Sequence, residues 1–168
     1  MNLLRDDLPL ALQVVDPSKV VECDVREDLR QGREPFARLM AARGEVQEGG
    51  ALCVRAIFEP VPLYSVMTRH GLAHYTEQLA PDDWMIWFYR ATPVLDVRGM
   101  EPPEPLSYTL AALRDLPDEV TLVQVNARVP MMLLPRLEEQ GFSYDVQKLG
   151  ENRVHVFIKR AGPARAQA

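Results

Sequence analysis

Two polar groups of the same composition occur in the chain and could bind an anion. Each has an Asp, an Arg two positions later and a Glu at the start of a predicted helix: Asp24, Arg26 and Glu34 in the first group, Asp96, Arg98 and Glu104 in the second. The free N–H groups of a helix N-terminus attract anions, and a nearby guanidinium adds to that attraction. Alternatively, the Arg pairs with a carboxylate to fasten a loop, and the Glu is favoured by the helix dipole. The residue types favour this structural interpretation.

A further candidate ligand-binding segment is Asn126–Arg128, which follows a predicted strand. Ligands often bind beyond the carboxyl ends of strands in α/β folds, so Asn126 and Arg128 join the four Arg and Glu residues above as candidates. A polar loop without a ligand is the alternative.

The three histidines do not form a recognisable metal motif. His70 and His74 have helical spacing, but Gly71 between them should end the helix, and His155 lies on a predicted strand without a second ligand nearby in sequence. A metal site needs three or more converging ligands. The sequence therefore predicts no metal, no cofactor and no catalytic residue.

Cys23 and Cys53 are the only cysteines, too few for a disulfide framework or a four-thiolate zinc site. We expect two small buried hydrophobic side chains. The alternative is that one of them still relays sulfur.

Composition limits the classes of function. The chain of 168 residues is 47% hydrophobic and 26% charged, as in ordinary globular proteins. Its net charge of -5 opposes binding to phosphate backbones, which argues against an RNA-binding role. No apolar run approaches the roughly 20 residues that span a bilayer, and Asp6, Asp7 and Pro9 interrupt the start of the chain where a signal peptide is apolar. We expect a cytoplasmic protein that does not act at a membrane.

The elements that must position these residues are repeated. Pro60 and Pro130, for example, are 70 positions apart, and the same offset relates Glu34 to Glu104, Ala41 to Ala111, Leu52 to Leu122, Leu63 to Leu133, Gly71 to Gly141, Leu79 to Leu149 and Arg90 to Arg160. Internal repeats of this kind indicate duplicated structural units. We expect an N-terminal extension over 1–19, modules over 20–91 and 92–161, and a disordered tail over 162–168.

Each copy is predicted to run strand–helix–strand–helix–strand–strand. In copy 1 the strands are 20–25, 51–58, 72–79 and 84–90, a polar loop runs to Gly32, and helices begin near Pro35 and Pro60 and end at Gly44 and Gly71. In copy 2 the strands are 94–98, 120–126, 142–149 and 153–160, with helices over 104–115 and 130–140. The extension is predicted to add a short helix around 3–12.

The last strand of copy 1, 84–89, is apolar on both faces, whereas its counterpart in copy 2 alternates. A sheet with helices on one side should alternate. We infer that the second face is covered by the other copy or by another chain, which makes the protein an intramolecular pseudo-dimer or a homodimer with Trp84, Trp87 and Tyr89 as interface candidates. An aromatic ligand pocket is the alternative.

The segment Leu95–Leu106, LDVRGMEPPEPL, resembles the opening of TusA-like sulfur carriers, which read Leu-Asp-x-x-Gly-Leu-x-Cys-Pro-x-Pro-Leu. The resemblance continues through Thr121–Val123 and Pro130. It implies an α+β fold, a two-layer α/β sandwich with two helices on one face of a four-stranded mixed sheet in each module. The carrier cysteine is replaced by Pro102 in copy 2 and by Gly32 in copy 1. Neither residue has a thiol, so the resemblance implies the fold without the sulfur-carrier activity.

A closer resemblance is to a cysteine-less, uncharacterised bacterial branch of that superfamily, the domain of unknown function 2249, here in tandem duplicate. Phe58–Tyr64 and the aromatic last strand resemble that branch, which often has His beside Asp or Glu at this junction. Copy 1 keeps Glu59 but has Phe58, and copy 2 has Arg128 and Val129.

The resemblance implies a link to anaerobic or nitrogen-oxide redox metabolism. The sequence thus predicts a non-catalytic binding or accessory protein for a protein partner or a small anionic ligand, with sulfur relay through Cys23 or Cys53 as the alternative.

Overall fold

The computed structural model describes residues 2–162. The tail expected to be disordered lies outside these residues from position 163 onward. The chain divides into two compact units, Met1–Ala91 and Thr92–Ala168, called module 1 and module 2 below. Within the described part, the helices are all too short or too polar to cross a bilayer.

Module 1 contains one four-stranded sheet. Along the chain, helices precede its first strand and connect its first three strands. Its elements are α1 (Leu10–Gln13), a 3-10 turn (Pro17–Lys19), β1 (Val20–Asp24), α2 (Arg26–Arg30), α3 (Phe36–Glu45), β2 (Ala51–Ala56), α4 (Val61–Arg69), β3 (Ala73–Ala80) and β4 (Asp83–Tyr89). Gly71 has φ 78°, a left-handed conformation that closes α4 at little cost for glycine.

Module 2 repeats this order without the short helices. Its elements are β5 (Val94–Asp96), α5 (Glu104–Arg114), β6 (Leu122–Asn126), α6 (Leu133–Glu139), β7 (Phe142–Gly150) and β8 (Arg153–Arg160).

Both sheets have the same mixed topology. The strand orders are β1-β2-β4-β3 and β5-β6-β8-β7. The first two strands of each sheet pair in parallel, and the other pairings are antiparallel. The predicted fold, two tandem βαβαββ modules of the α+β class, is therefore confirmed.

Alternation along the strands assigns one face of each sheet to the two long helices. In module 1 Leu52, Val54, Ile86 and Phe88 face Leu39, Ala42, Leu63 and Met67, and these residues form one buried cluster. In module 2 Leu122, Val154, Val156 and Ile158 pack with Leu113, Leu133 and Leu137. Burying a Leu or Phe side chain is favourable by about 1.5–3 kcal/mol, so these clusters account for the helix–sheet layering.

The second face of the module 1 sheet is covered by the first residues of the chain. Leu3, Leu8, Leu12 and Val15 form a buried cluster with Ala51, Cys53, Trp87 and Tyr89. The cover that the sequence assigned to the second copy or to another chain is therefore provided within module 1. The sequence misled because no local pattern shows which surface a short segment of this kind packs against, and that contact is tertiary.

The interface candidates lie on different faces. Trp87 and Tyr89 contact the N-terminal residues, whereas Trp84 is half-buried on the helix side. The apolar character of β4 on both faces thus reflects two intramolecular layers.

Three local predictions were wrong. The helix expected around 3–12 is limited to α1, because Pro9 lacks an N–H and occupies the position before its first residue. The polar loop expected through Gly32 contains α2, in which Arg30 and Gln31 pair with Glu27. Gly44 does not end α3, which continues to Glu45.

Candidate functional site

The candidate ligand residues cluster near one edge of each sheet, called the carboxyl edge below. It is the edge where the two parallel strands end and the hairpin turns, and it comprises residues 25–35, 57–60 and 81–82 in module 1 and residues 97–103, 127–132 and 151–152 in module 2. This is the edge at which ligands commonly bind in α/β sheets.

Arg26 is engaged by carboxylates of its own module. Its Nε and Nη2 donate to Asp24 Oδ1 and Oδ2 over 3.0 and 2.7 Å, and its Nη1 lies 3.5 Å from Asp83 Oδ1. Hydrogen bonding to Arg26 lowers the pKa of Asp24. Arg26 therefore fastens the loop after β1 to the β3–β4 hairpin, in agreement with the structural interpretation.

A second ion pair, missed in the sequence, completes this network. Arg55 at the end of β2 donates from Nε and Nη2 to Asp83 Oδ1 over 3.1 and 2.6 Å, and this pairing lowers the pKa of Asp83. Arg55 and Asp83 are 28 positions apart, and no local pattern marks their contact.

Glu34 does not join this network. Its Oε1 accepts a hydrogen bond from the backbone N–H of Phe36 over 3.0 Å, so it satisfies one free donor at the start of α3. Arg33 and Arg38 instead pair with Asp28 of α2. The loop of module 1 is thus internally paired.

Module 2 repeats the Asp–Arg pair but changes its surroundings. Arg98 Nε and Nη2 donate to Asp96 Oδ1 and Oδ2 over 3.0 and 2.8 Å. Glu104 is the exposed first residue of α5, where its charge is favoured by the helix dipole. Arg153 takes the repeat position of Asp83, and its Nε donates to His155 Nε2 over 3.0 Å.

His155 is held neutral in the module. Its side chain is 2% exposed. Burial, followed by repulsion from Arg153 and Arg98, lowers its pKa to about 4, although Asp96 opposes this shift. A neutral imidazole can accept the Arg153 hydrogen bond, which an imidazolium could not.

Asn126 organises its own loop. Its Oδ1 accepts hydrogen bonds from the backbone N–H groups of Ala127 and Arg128 over 2.8 and 3.4 Å. Its Nδ2 donates to Gln124 Oε1 over 3.2 Å, and Gln124 Nε2 donates to Thr109 Oγ1 over 2.7 Å. Arg128 is exposed. The polar Gln124 within the apolar run 122–125 is the sequence signal for these buried hydrogen bonds.

Both thiols are buried in strands, Cys53 within β2 and Cys23 one residue before the end of β1. Cys53 is 2% exposed and burial raises its pKa to about 12, while burial also raises the pKa of Cys23. The thiolate is the reactive form of cysteine. Gly32, the module 1 position compared above with the cysteine of sulfur carriers, has φ 71°.

The histidines do not converge. His70 follows α4, His74 stacks on Tyr64 with ring centroids 3.8 Å apart, and His155 is buried in module 2. Over residues 2–162, no three His, Cys, Asp or Glu side chains are grouped so that they could hold a metal ion.

Large hydrophobic side chains are exposed in the carboxyl edge of both modules or in the helix and strand residues beside it. In module 1 they are Phe36, Phe58, Val61 and Leu79, and in module 2 they are Met131, Met132 and Leu149, with Tyr108 one turn into α5. Val61 and Leu79 occupy the repeat positions of Met131 and Leu149. Single exposed hydrophobic residues are common, but groups of them mark interaction surfaces.

The family model of the uncharacterised conserved proteins designated DUF2249 matches the chain twice, over residues 22–90 and 94–160. The chain belongs to this family and carries its domain in tandem. No curated protein and no solved structure matches it.

Proposed function

We propose that this protein is a non-catalytic binding protein that contacts a protein partner through the carboxyl edges of its modules. The observation that carries the proposal is the exposure of hydrophobic side chains at repeat-related positions, Val61 with Met131 and Leu79 with Leu149. Removing apolar surface from water is the main favourable contribution to protein association. An edge that keeps such residues exposed in both copies fits that role.

The electrostatics of the same edge favour a protein over a small anion. Arg26 and Arg98 each donate two side-chain hydrogen bonds to a neighbouring Asp. An anion would have to compete with these carboxylates, whose repulsion would oppose it. The small anionic ligand is accordingly the second candidate, with Arg98 as the residue that would bind it.

The thiols argue against sulfur relay as the function. A sulfur relay needs an accessible thiolate, and Cys23 and Cys53 are both buried with raised pKa values. Val123 stands 70 positions after Cys53, and Leu95 pairs with Gln124 as Cys23 pairs with the equivalent Val54; both Val123 and Leu95 are apolar. Module 2 therefore lacks even a related thiol.

The same proposal includes the evolutionary origin, the cellular location and the metabolic context of the protein. We infer descent from TusA-like sulfur carriers that lost their cysteine, in a bacterial cytoplasm and in connection with anaerobic or nitrogen-oxide redox metabolism. The resemblance of Leu95–Leu106 to the carrier motif supports the descent, and two free cysteines fit a reducing compartment.

The proposal can be tested by quantitative affinity capture with the full chain, followed by direct binding of each purified captured protein. The edge variant combines Val61→Glu and Met131→Glu, two exposed positions where an added charge should not disturb folding. The matched control is Leu10→Glu, an exposed hydrophobic position on α1 outside the residues that define the carboxyl edge. We expect the edge variant to bind the purified partner at least about tenfold more weakly, a loss of roughly 1.4 kcal/mol.

Equal binding by the edge variant and the control would contradict the proposal. Loss of binding in Arg98→Ala, with the edge variant unaffected, would favour the anionic ligand instead.

A further inference from the structure

Met131 and Met132 are by far the most exposed methionines of the described chain. Their exposed fractions are 71% and 77%, whereas Met67 is 0% exposed. Met40, Met85 and Met100 are half-buried. The two exposed residues are adjacent, and Met132 occupies the position before the first residue of α6.

Module 1 has no oxidisable residue at the matching positions. Val61 and Pro62 stand 70 positions before Met131 and Met132, and Val61 is 54% exposed. The two carboxyl edges therefore expose apolar side chains at equivalent positions, and only those of module 2 contain sulfur. Thioether sulfur is readily oxidised, and aliphatic carbon is not.

We propose that Met131 and Met132 form an oxidation site through which peroxides switch the module 2 edge from an apolar to a polar contact surface. This inference rests on the proposed function, since it concerns regulation of the same edge. Module 1 keeps its apolar edge under the same conditions, because Val61 and Pro62 cannot be oxidised in this way.

The reaction balances with a peroxide as the only co-reactant. The methionine sulfur attacks one peroxide oxygen, so that a sulfur–oxygen bond forms as the oxygen–oxygen bond breaks. The transferred hydroxyl gives its proton to the departing hydroxide, which leaves as water. Sulfur loses two electrons and the peroxide gains them. The product sulfoxide is polar, and methionine sulfoxide reductases reverse the change.

The site can be mapped without knowing the partner. The folded full chain is treated with graded hydrogen peroxide, and oxidation at each methionine is followed by peptide mass spectrometry. We expect Met131 and Met132 to oxidise at least roughly tenfold faster than Met67, because susceptibility follows exposure. Equal rates at all methionines, or slower oxidation of this pair, would overturn the inference.

The change of surface is measured by hydrophobic-interaction chromatography of the same samples. The control variant Met131→Leu/Met132→Leu keeps the apolar edge and has no sulfur there. Peroxide should shorten the retention of the wild-type chain and leave the variant unchanged. Identical shifts in both proteins would refute an effect of this pair.

Binding separates this inference from the proposed function. If the purified partner binds the unoxidised chain and the sulfoxide form equally, the inference fails and the proposed function stands. If edge substitutions do not affect binding of the unoxidised chain, the proposed function fails, and the switch of a contact surface fails with it. Weaker binding of the sulfoxide form, restored by enzymatic reduction and not seen with the Leu variant, supports both.

Discussion

Gln124 on β6 donates a hydrogen bond to the hydroxyl of Thr109 on α5, and both side chains are fully buried. Thr109 in turn donates to the backbone oxygen of Pro105 over 2.7 Å. The repeat positions in module 1 are Val54 and Leu39, which lie in an apolar cluster. The two modules thus use different chemistry to join the same helix to the same strand.

Replacing Gln124 alone should destabilise module 2. In Gln124→Val, Thr109 loses a donor and Asn126 Nδ2 loses its acceptor, and an unsatisfied buried polar group costs about 1–3 kcal/mol. The double variant Gln124→Val/Thr109→Val should cost less than the sum of the two single changes. Urea denaturation followed by circular dichroism tests this cycle, and additive costs would argue against the coupling.

Both tryptophans, Trp84 and Trp87, lie in module 1. Their fluorescence therefore reports the unfolding of module 1 by itself, while circular dichroism follows both modules. Comparing the two signals therefore assigns each unfolding transition to one module.

The N-terminal residues should act as part of the module 1 core. Leu12 is fully buried against the sheet, so Leu12→Ala is expected to lower the free energy of unfolding by about 2–5 kcal/mol. Leu10→Ala, two positions away and exposed, should change it by no more than about 0.5 kcal/mol. Tryptophan fluorescence in urea measures both variants. Similar small losses would mean that this segment does not support the core.

The Asp83 carboxylate should contribute to acid resistance of module 1. Its pKa is lowered mainly by hydrogen bonding to Arg55, so its contribution is present above the ordinary pKa of 3.8 and is lost as the pH falls through the lower folded value. Asp83→Asn should shift the acid-unfolding midpoint to higher pH, whereas Asp82→Asn, at the exposed neighbouring position, should not. An unchanged midpoint in Asp83→Asn would show that the ion pair has no net effect.

His155 should make module 2 less stable in mild acid. Its pKa is lowered from 6.5 to about 4. Below pH 6.5 the unfolded chain therefore binds a proton that the folded chain does not. The free energy of unfolding should fall between these values by up to about 3 kcal/mol and then level off with respect to this group.

The variant His155→Gln, which keeps a hydrogen-bond acceptor, should lose this pH dependence. The exposed His70→Gln serves as its control. Urea denaturation at several pH values checks the prediction by circular dichroism, with tryptophan fluorescence marking the module 1 transition. A His155→Gln variant with the wild-type slope would rule out His155 as its source.

The sequence predicted the parts of the fold that are encoded locally. The order of strands and long helices could be predicted from the 70-residue offset, the alternation along β8 and the position of Gly71. Arg55 and Asp83 could not be paired in this way, because their contact depends on the antiparallel register of β2 and β4. The cover of Trp87 by Leu3, Leu8 and Leu12 is likewise a tertiary contact, because no local pattern shows which surface this segment packs against. The six candidate ligand residues lie near the carboxyl edges, and most of them are paired within their own loops.

The central claim is that the carboxyl edges are the contact surface for a protein partner. Hydrogen–deuterium exchange mass spectrometry of the full chain, with and without the purified partner, tests it most directly. We predict that the partner slows exchange in residues 57–61 of module 1 and 127–132 of module 2, while the opposite ends of the sheets, including Gly141 and Phe142, are unchanged. Protection confined to regions outside the carboxyl edges would contradict the claim.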